Sequence, residues 1–121
     1  MYLGKYAAHK RVNCGVGIII SRYEERLNVK FEDGTVVIAP PELIVELTSI
    51  EAGSVRLDSN NIRIVNEKIK RLRSAEIEAR LSNNFRTLVT IDHDIKNLKK
   101  VVSKDYNYLK ETFGIIYEIE N

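Results

Sequence analysis

The chain has one cysteine, Cys14, in 121 residues, and that scarcity removes two classes of small protein. No intrachain disulfide framework and no cysteine-built zinc site can be assembled from it, which fits a reducing compartment. Tryptophan is absent and there are two histidines, His9 and His93. Neither histidine has a carboxylate or nucleophile at a spacing that suggests a metal site or acid–base pair, so no metal, cofactor or catalytic residue is expected. Apolar runs are short: none approaches the roughly 18–20 residues that span a bilayer. Met1-Tyr2-Leu3-Gly4-Lys5 has no signal-peptide core. The expectation is a soluble, cytoplasmic, non-enzymatic protein with no membrane partner.

Charge of one sign is also lacking. The formal net charge is +2, too small to predict nucleic-acid binding by itself. Its distribution says more. Residues 1–50 carry six basic and six acidic side chains, residues 51–91 eight and five, and residues 92–121 five and six. Any basic face therefore lies mid-chain. With 44% hydrophobic and 30% charged residues, the composition is that of a folded domain able to bury a core without staples.

The first half has a period of two. Leu27, Val29 and Phe31 alternate with Asn28, Lys30 and Glu32, as in a half-buried strand. Asp33-Gly34 supplies a tight turn, and Thr35-Val36-Val37-Ile38 returns. Upstream, Val16 to Ser21 is a continuous segment rich in β-branched residues, expected for a strand covered on both faces or curling through a barrel. Gly15 and Gly17 allow a bend at its start. They do not form a phosphate loop, since no third glycine or helix start follows. Pro40-Pro41 must end a strand, and Leu43 to Leu47 gives the last one. Thr48 to Ser54, with Gly53 as breaker, is expected to be a linker.

The second half has a helical period. After Asp58-Ser59, taken as N-caps, Ile62, Val65, Ile69, Leu72 and Ala79 recur at spacings of three and four, with Glu76 as the polar exception. Ser82-Asn83-Asn84 is a break. Leu88, Ile91, Ile95, Leu98, Val102 and Leu109 continue the pattern, with Asp105 as its polar member. Two helices, about 59–81 and 84–113, are predicted to form an antiparallel hairpin whose register Glu76 and Asp105 fix. The β-branched stretch 85–91 admits a competing strand, with Asp92 capping a shorter helix. The unslipped seam through Leu88 and Ile91 favours the continuous helix. Gly114 is a suitable helix stop, and Ile115 to Ile119 is predicted to be a short C-terminal strand.

His9, Gly15-Val16-Gly17-Ile18-Ile19, Val29-Lys30-Phe31, Asp33-Gly34 and Leu43 to Leu47 follow one another in an order that resembles the Tudor/SH3-like barrel of UvrD/PcrA-type helicases and CarD-type transcription regulators. The resemblance covers residues 9–47. It implies an N-terminal SH3/Tudor-like barrel over residues 1–50; with the helical hairpin and C-terminal strand that the periodicity predicts over residues 51–121, the expected fold is α+β. It also implies docking on RNA polymerase or related transcription and DNA-repair machinery. Arg11, Arg22, Tyr23, Lys30 and Asp33 would then lie on or near the partner-binding surface.

Other candidates come from the residues themselves. Lys68, Lys70, Arg71 and Arg73 form the densest basic cluster, and Lys96, Lys99, Lys100 and Lys104 a second. Both are nucleic-acid candidates, or else solvated outer faces of the hairpin, where Glu67 and Glu76 supply helical ion-pair partners. Tyr6, Tyr23 and Phe31 could form an aromatic cage, but Phe31 is in phase with the core positions Leu27 and Val29. Asp92-His93-Asp94 cannot converge on one ion from a helix; only His93 and Asn97 share a face, and the trio would suit a helix N-terminus. Cys14 is expected to be a small buried side chain. The leading function is a non-catalytic adaptor or regulator, with self-association as a two-fold dimer. The rival is a small inhibitor or immunity-type protein that blocks one enzyme.

Overall fold

A computed structural model of the protein describes residues 1–120. It is an α+β fold: a five-stranded antiparallel sheet followed by two long helices. The strands are β1 (Tyr6–His9), β2 (Gly17–Tyr23), β3 (Arg26–Phe31), β4 (Val36–Ala39) and β5 (Ile44–Leu47). A 3-10 turn, Pro41–Leu43, separates the last two. The order across the sheet is β4-β3-β2-β1-β5, so β4 and β5 are its edges and the sheet is open, not a hydrogen-bonded closed barrel. The first strand went unread in the sequence, where Tyr6-Ala7-Ala8-His9 offers no β-branched residue. Strand β2 starts at Gly17, and its ladder with β3 shifts between Ile19 and Ser21. That irregularity bends the long strand, and it lies beyond the glycines that were expected to supply the bend.

Two cores are built on the sheet. The inner one takes Ala7 from β1, Ile19 from β2, Leu27, Val29 and Phe31 from β3, Ala39 from β4 and Ile44 from β5. The other begins on the opposite side of β1 and β5, at Ala8 and Leu47, and joins Val16 to the helices. Strand β1 is thus covered on both faces. Alanines at 7 and 8 keep it thin enough for the helix to approach.

Helix α1 is Ser49–Leu81, ten residues longer at its start than the periodicity indicated. The stretch Thr48 to Ser54 is not a linker, and Asp58 and Ser59 are not caps but buried residues inside the helix. The true start is a capping box: Thr48 Oγ1 accepts from the Glu51 N–H at 3.2 Å, and Glu51 Oε1 accepts from the Thr48 N–H at 2.9 Å. Two orphan donors are satisfied reciprocally, which outweighs the helical cost of Gly53, about 1 kcal/mol.

Helix α2 is Phe85–Phe113. The competing strand over 85–91 is not formed, because the Asn84 side chain caps the Thr87 N–H at 3.2 Å and Ile91 is buried in the seam. Asp92-His93-Asp94 therefore lies within the helix and caps nothing. The two helices pack as the expected antiparallel pair through Ile62, Val65, Ile69, Ala79, Ile91, Ile95, Val102 and Leu109.

Gly114, at φ 70°, ends α2, and the chain turns back along α1 without forming the predicted strand. Its ties are mostly to side chains. Ile116 N–H donates to the Lys10 carbonyl at 2.8 Å, while the Asn66 amide donates to the Glu118 carbonyl at 2.9 Å and accepts from the Glu120 N–H at 2.8 Å. Ile115 and Tyr117 of this strap are fully buried.

Gly17 is where the sheet is tightest. A Cβ there would lie 2.7 Å from the Lys30 carbonyl oxygen and 2.9 Å from both Phe31 and Val29 side-chain carbons. The carbonyl belongs to the ladder and cannot yield. Gly17→Ala is expected to lower stability by about 2 kcal/mol in urea unfolding; an unchanged midpoint would refute this packing.

Candidate functional site

Helix α1 covers only part of the sheet's outer face, because its contacts are with β1 and β5. The β2–β4 part is left bare, and the register defines what it presents. Tyr6 pairs with Ile18, Ile18 with Lys30 and Lys30 with Val36, giving one cross-strand row over four strands. Asn28 and Ile38 pair in the next row, beside Ile20. Ile18, Ile20, Val36 and Ile38 are 41%, 47%, 53% and 60% exposed, on a face where a solvated sheet would carry polar residues. A shallow depression of about 410 Å³ runs from Tyr6, Ile18 and Ile20 past Lys30 to Glu32 and Arg56. Its far wall is an ion pair, Arg56 Nε to Glu32 Oε1 at 2.8 Å, tying the sheet to α1. Strand β4 borders the face as an edge.

Of the residues expected on a docking surface, Lys30 stands at the centre of this face and Arg22 and Tyr23 at the exposed end of β2. Arg11 is elsewhere, donating to the Gly114 carbonyl at 3.2 Å at the base of the strap. Asp33 sits in the β3–β4 turn, where its Oδ1 accepts the Thr35 N–H at 2.9 Å; that bond holds its carboxyl below the usual range. The aromatic cage does not form, since Phe31 is buried in the inner core and Tyr23 projects into solvent. Sequence reasoning missed Ile18, Ile20, Val36 and Ile38. The signal was present: unbroken Ile18-Ile19-Ile20 and Val36-Val37-Ile38 make both faces of a strand apolar.

A second cavity, about 560 Å³, lies where the sheet meets α1 and is lined by Cys14, Asp33, Glu32, Arg56, Asn60 and Arg63 among others. Its charges balance, and burial together with the nearby Asp33 pushes the Cys14 thiol up, away from the nucleophilic thiolate. His9 is a structural acceptor: Nδ1 receives the N–H groups of Arg11 and Val12, both at 3.0 Å, and burial with the Arg11 charge holds it below its usual value. Tyr117 faces the Ser59 hydroxyl with neither oxygen in a well-formed hydrogen bond, and burial pushes the phenol up. Among the described residues, no group of three or more His, Cys, Asp or Glu side chains could hold a metal ion, and no helix is long and apolar enough to cross a membrane.

Three of the hairpin's eight candidate basic residues stand in ion pairs. Lys70 pairs with Glu120 at 3.3 Å, Arg73 with Glu76 at 2.9 Å and Lys96 with Asp92 at 3.0 Å. Glu76 also reaches Arg80 at 3.4 Å. Lys104 lies near Asp58 and Asp105. Lys68 and Arg71 line a groove between the helices with Asp94 on its other side, while Lys99 and Lys100 lie on α2. His93 and Asn97 meet at 3.1 Å, as their spacing required, and without a third ligand. Comparison with family models, curated proteins and solved structures finds no match to this chain.

Asp105 meets two α1 residues across the seam. Asn61 donates to its Oδ2 at 3.5 Å, and the Asp58 carboxyl faces it from a buried position. Burial first, then the hydrogen bond to Asp105 and its charge, push Asp58 up to about 6, opposed by Lys104. A carboxyl raised on folding is best accommodated protonated, so its contribution is lost as pH rises from about 4 to 6 and is constant above. His9, lowered on folding, acts in the opposite direction below its usual value, so the Asp58 contribution must be read as a difference. Asp58→Asn is expected to exceed the parent in stability by roughly 1–3 kcal/mol at pH 7 and to lose that advantage progressively as the pH falls from about 6 to below 4. Parallel pH–stability curves for the two proteins would refute the buried pair.

Proposed function

We propose that this protein is a non-catalytic adaptor whose bare β2–β4 face docks on a protein partner. The observation that carries the reading is the row Tyr6–Ile18–Lys30–Val36 with Ile20 and Ile38 beside it. Exposed β-branched side chains on adjacent strands are costly in solubility and aggregation, and a contiguous patch of them is characteristic of an interaction site. The chemistry favours protein over nucleic acid. One cation, Lys30, stands among isoleucines and valines, whereas a phosphate-tracking surface needs several unneutralised cations in line. The fitting occupant is an extended apolar segment with a carboxylate to meet Lys30. The free edge of β4 offers main-chain hydrogen bonds to that segment, so it adds as a further strand.

The strand order, the 3-10 turn before β5 and an inner core fed by all five strands support an SH3/Tudor-like small barrel. By that resemblance the partner is a component of the transcription or DNA-repair machinery, RNA polymerase first among them, met inside the cell. The hairpin's basic residues provide a secondary route to nucleic acid, weakened at Lys70, Arg73 and Lys96 by their ion pairs.

The test is a binding measurement with immobilised RNA polymerase, using the parent, Ile18→Glu, Lys30→Glu and, as a control away from the face, Lys99→Glu. Loss of at least tenfold in affinity for the two sheet variants, with folding unchanged by circular dichroism and the control unaffected, is the expected result. Equal binding by all four, or salt-sensitive binding to labelled DNA that the Lys99 change weakens and the sheet changes do not, would overturn the assignment.

A further inference from the structure

The two flanks of the helical hairpin are treated differently. One is covered by the C-terminal strap, which runs along Ser59, Asn66 and Lys70 of α1. The other is bare. A groove of about 450 Å³ opens there, with Leu72, Leu98 and Val101 as its apolar surface. Ile64 lies one turn before Lys68 on the same side of α1, and Tyr108 two turns beyond Val101 on α2, so the apolar strip continues toward the sheet. Val101 is 71% exposed, and Ile64 and Tyr108 are 39% and 40% exposed. The groove's walls differ in sign: Lys68 and Arg71 stand on α1, Asp94 on α2.

We propose that this flank is the interface of a homodimer, in which a second copy of the chain packs hairpin against hairpin to make a four-helix bundle. The charges choose the occupant and its orientation. A two-fold axis running along the hairpin sets α1 of one copy over α2 of the other, so Lys68 and Arg71 of each copy approach Asp94 of its partner. The other in-plane axis would set α1 over α1 and bring Lys68 and Arg71 against their own copies. The size is adequate: helix α2, with 29 residues, runs for roughly 40 Å. A paired face of that length buries on the order of 600–800 Å² per copy, near what a stable dimer requires.

Sedimentation equilibrium on the whole chain between about 1 and 100 µM, spanning ordinary dimer affinities, tests this. The parent is expected to dimerise, and Val101→Glu to raise the dissociation constant at least tenfold while keeping the parent's helical circular dichroism. Arg71→Glu alone should weaken the dimer, and Arg71→Glu combined with Asp94→Arg should restore it. A parent that stays monomeric throughout, or a dimer indifferent to Val101→Glu, would overturn the interface. A charge exchange that fails to restore association would overturn the α1-over-α2 arrangement.

Discussion

The packing of the first three turns of α1 against β1, β5 and the C-terminal strap is the constraint on which the rest depends. Ala52 and Val55 meet Ala8, Val16 and Leu47 in one core, and that core runs on without interruption through Ile62 and Ile69 into the hairpin seam. Ile115 and Tyr117 belong to it as well. Burial of each large side chain there is worth about 2–3 kcal/mol, so the strap anchors the sheet and is not an ornament. Because α1 is one rigid rod from Ser49 to Leu81, its seat on β1 and β5 decides which part of the sheet is covered. It also decides which flank of the hairpin faces away.

Both proposed surfaces follow from that seat. The helix seats on β1 and β5 and covers only that part of the outer face, so the β2–β4 face stays open. The strap can cover only one flank of a two-helix hairpin, so the other is bare. The apolar residues left on each face are arranged by register on the sheet and by heptad spacing on the helices. The two faces differ in chemistry: β-branched residues around a single lysine on one, an apolar groove between walls of opposite charge on the other. That difference is why they suit different occupants.

The sequence carried most of the periodic structure. The alternation of Leu27, Val29 and Phe31, the Asp33-Gly34 turn, the proline stop, the seam through both helices and the Gly114 cap are local patterns, and the fold keeps them. What was illegible depended on distant partners. Strand β1 is specified by the need for small residues between two cores, which Ala7 and Ala8 meet without any strand propensity of their own. The start of α1 was misplaced because Gly53 resembles a breaker, while the Thr48–Glu51 box that overrides it is a pair of polar residues in an apolar-poor stretch. The strap lacks a ladder because Asn66, fifty-two residues from Glu118, takes the place of a neighbouring strand. The docking face was missed for a related reason. Three consecutive isoleucines satisfy a strand buried on both sides equally well, and only the position of α1 shows that Ile18 and Ile20 are uncovered.

Native-state hydrogen exchange on the whole chain examines the central claim most directly. If α1 unites the sheet, the hairpin base and the strap, amides of β1, residues 52–69 of α1 and Ile116 should exchange with one shared opening free energy, while those beside the Ser82–Asn84 turn exchange earlier. Sheet amides that keep their protection after the base of α1 and the strap have opened would show two independent units and contradict the account.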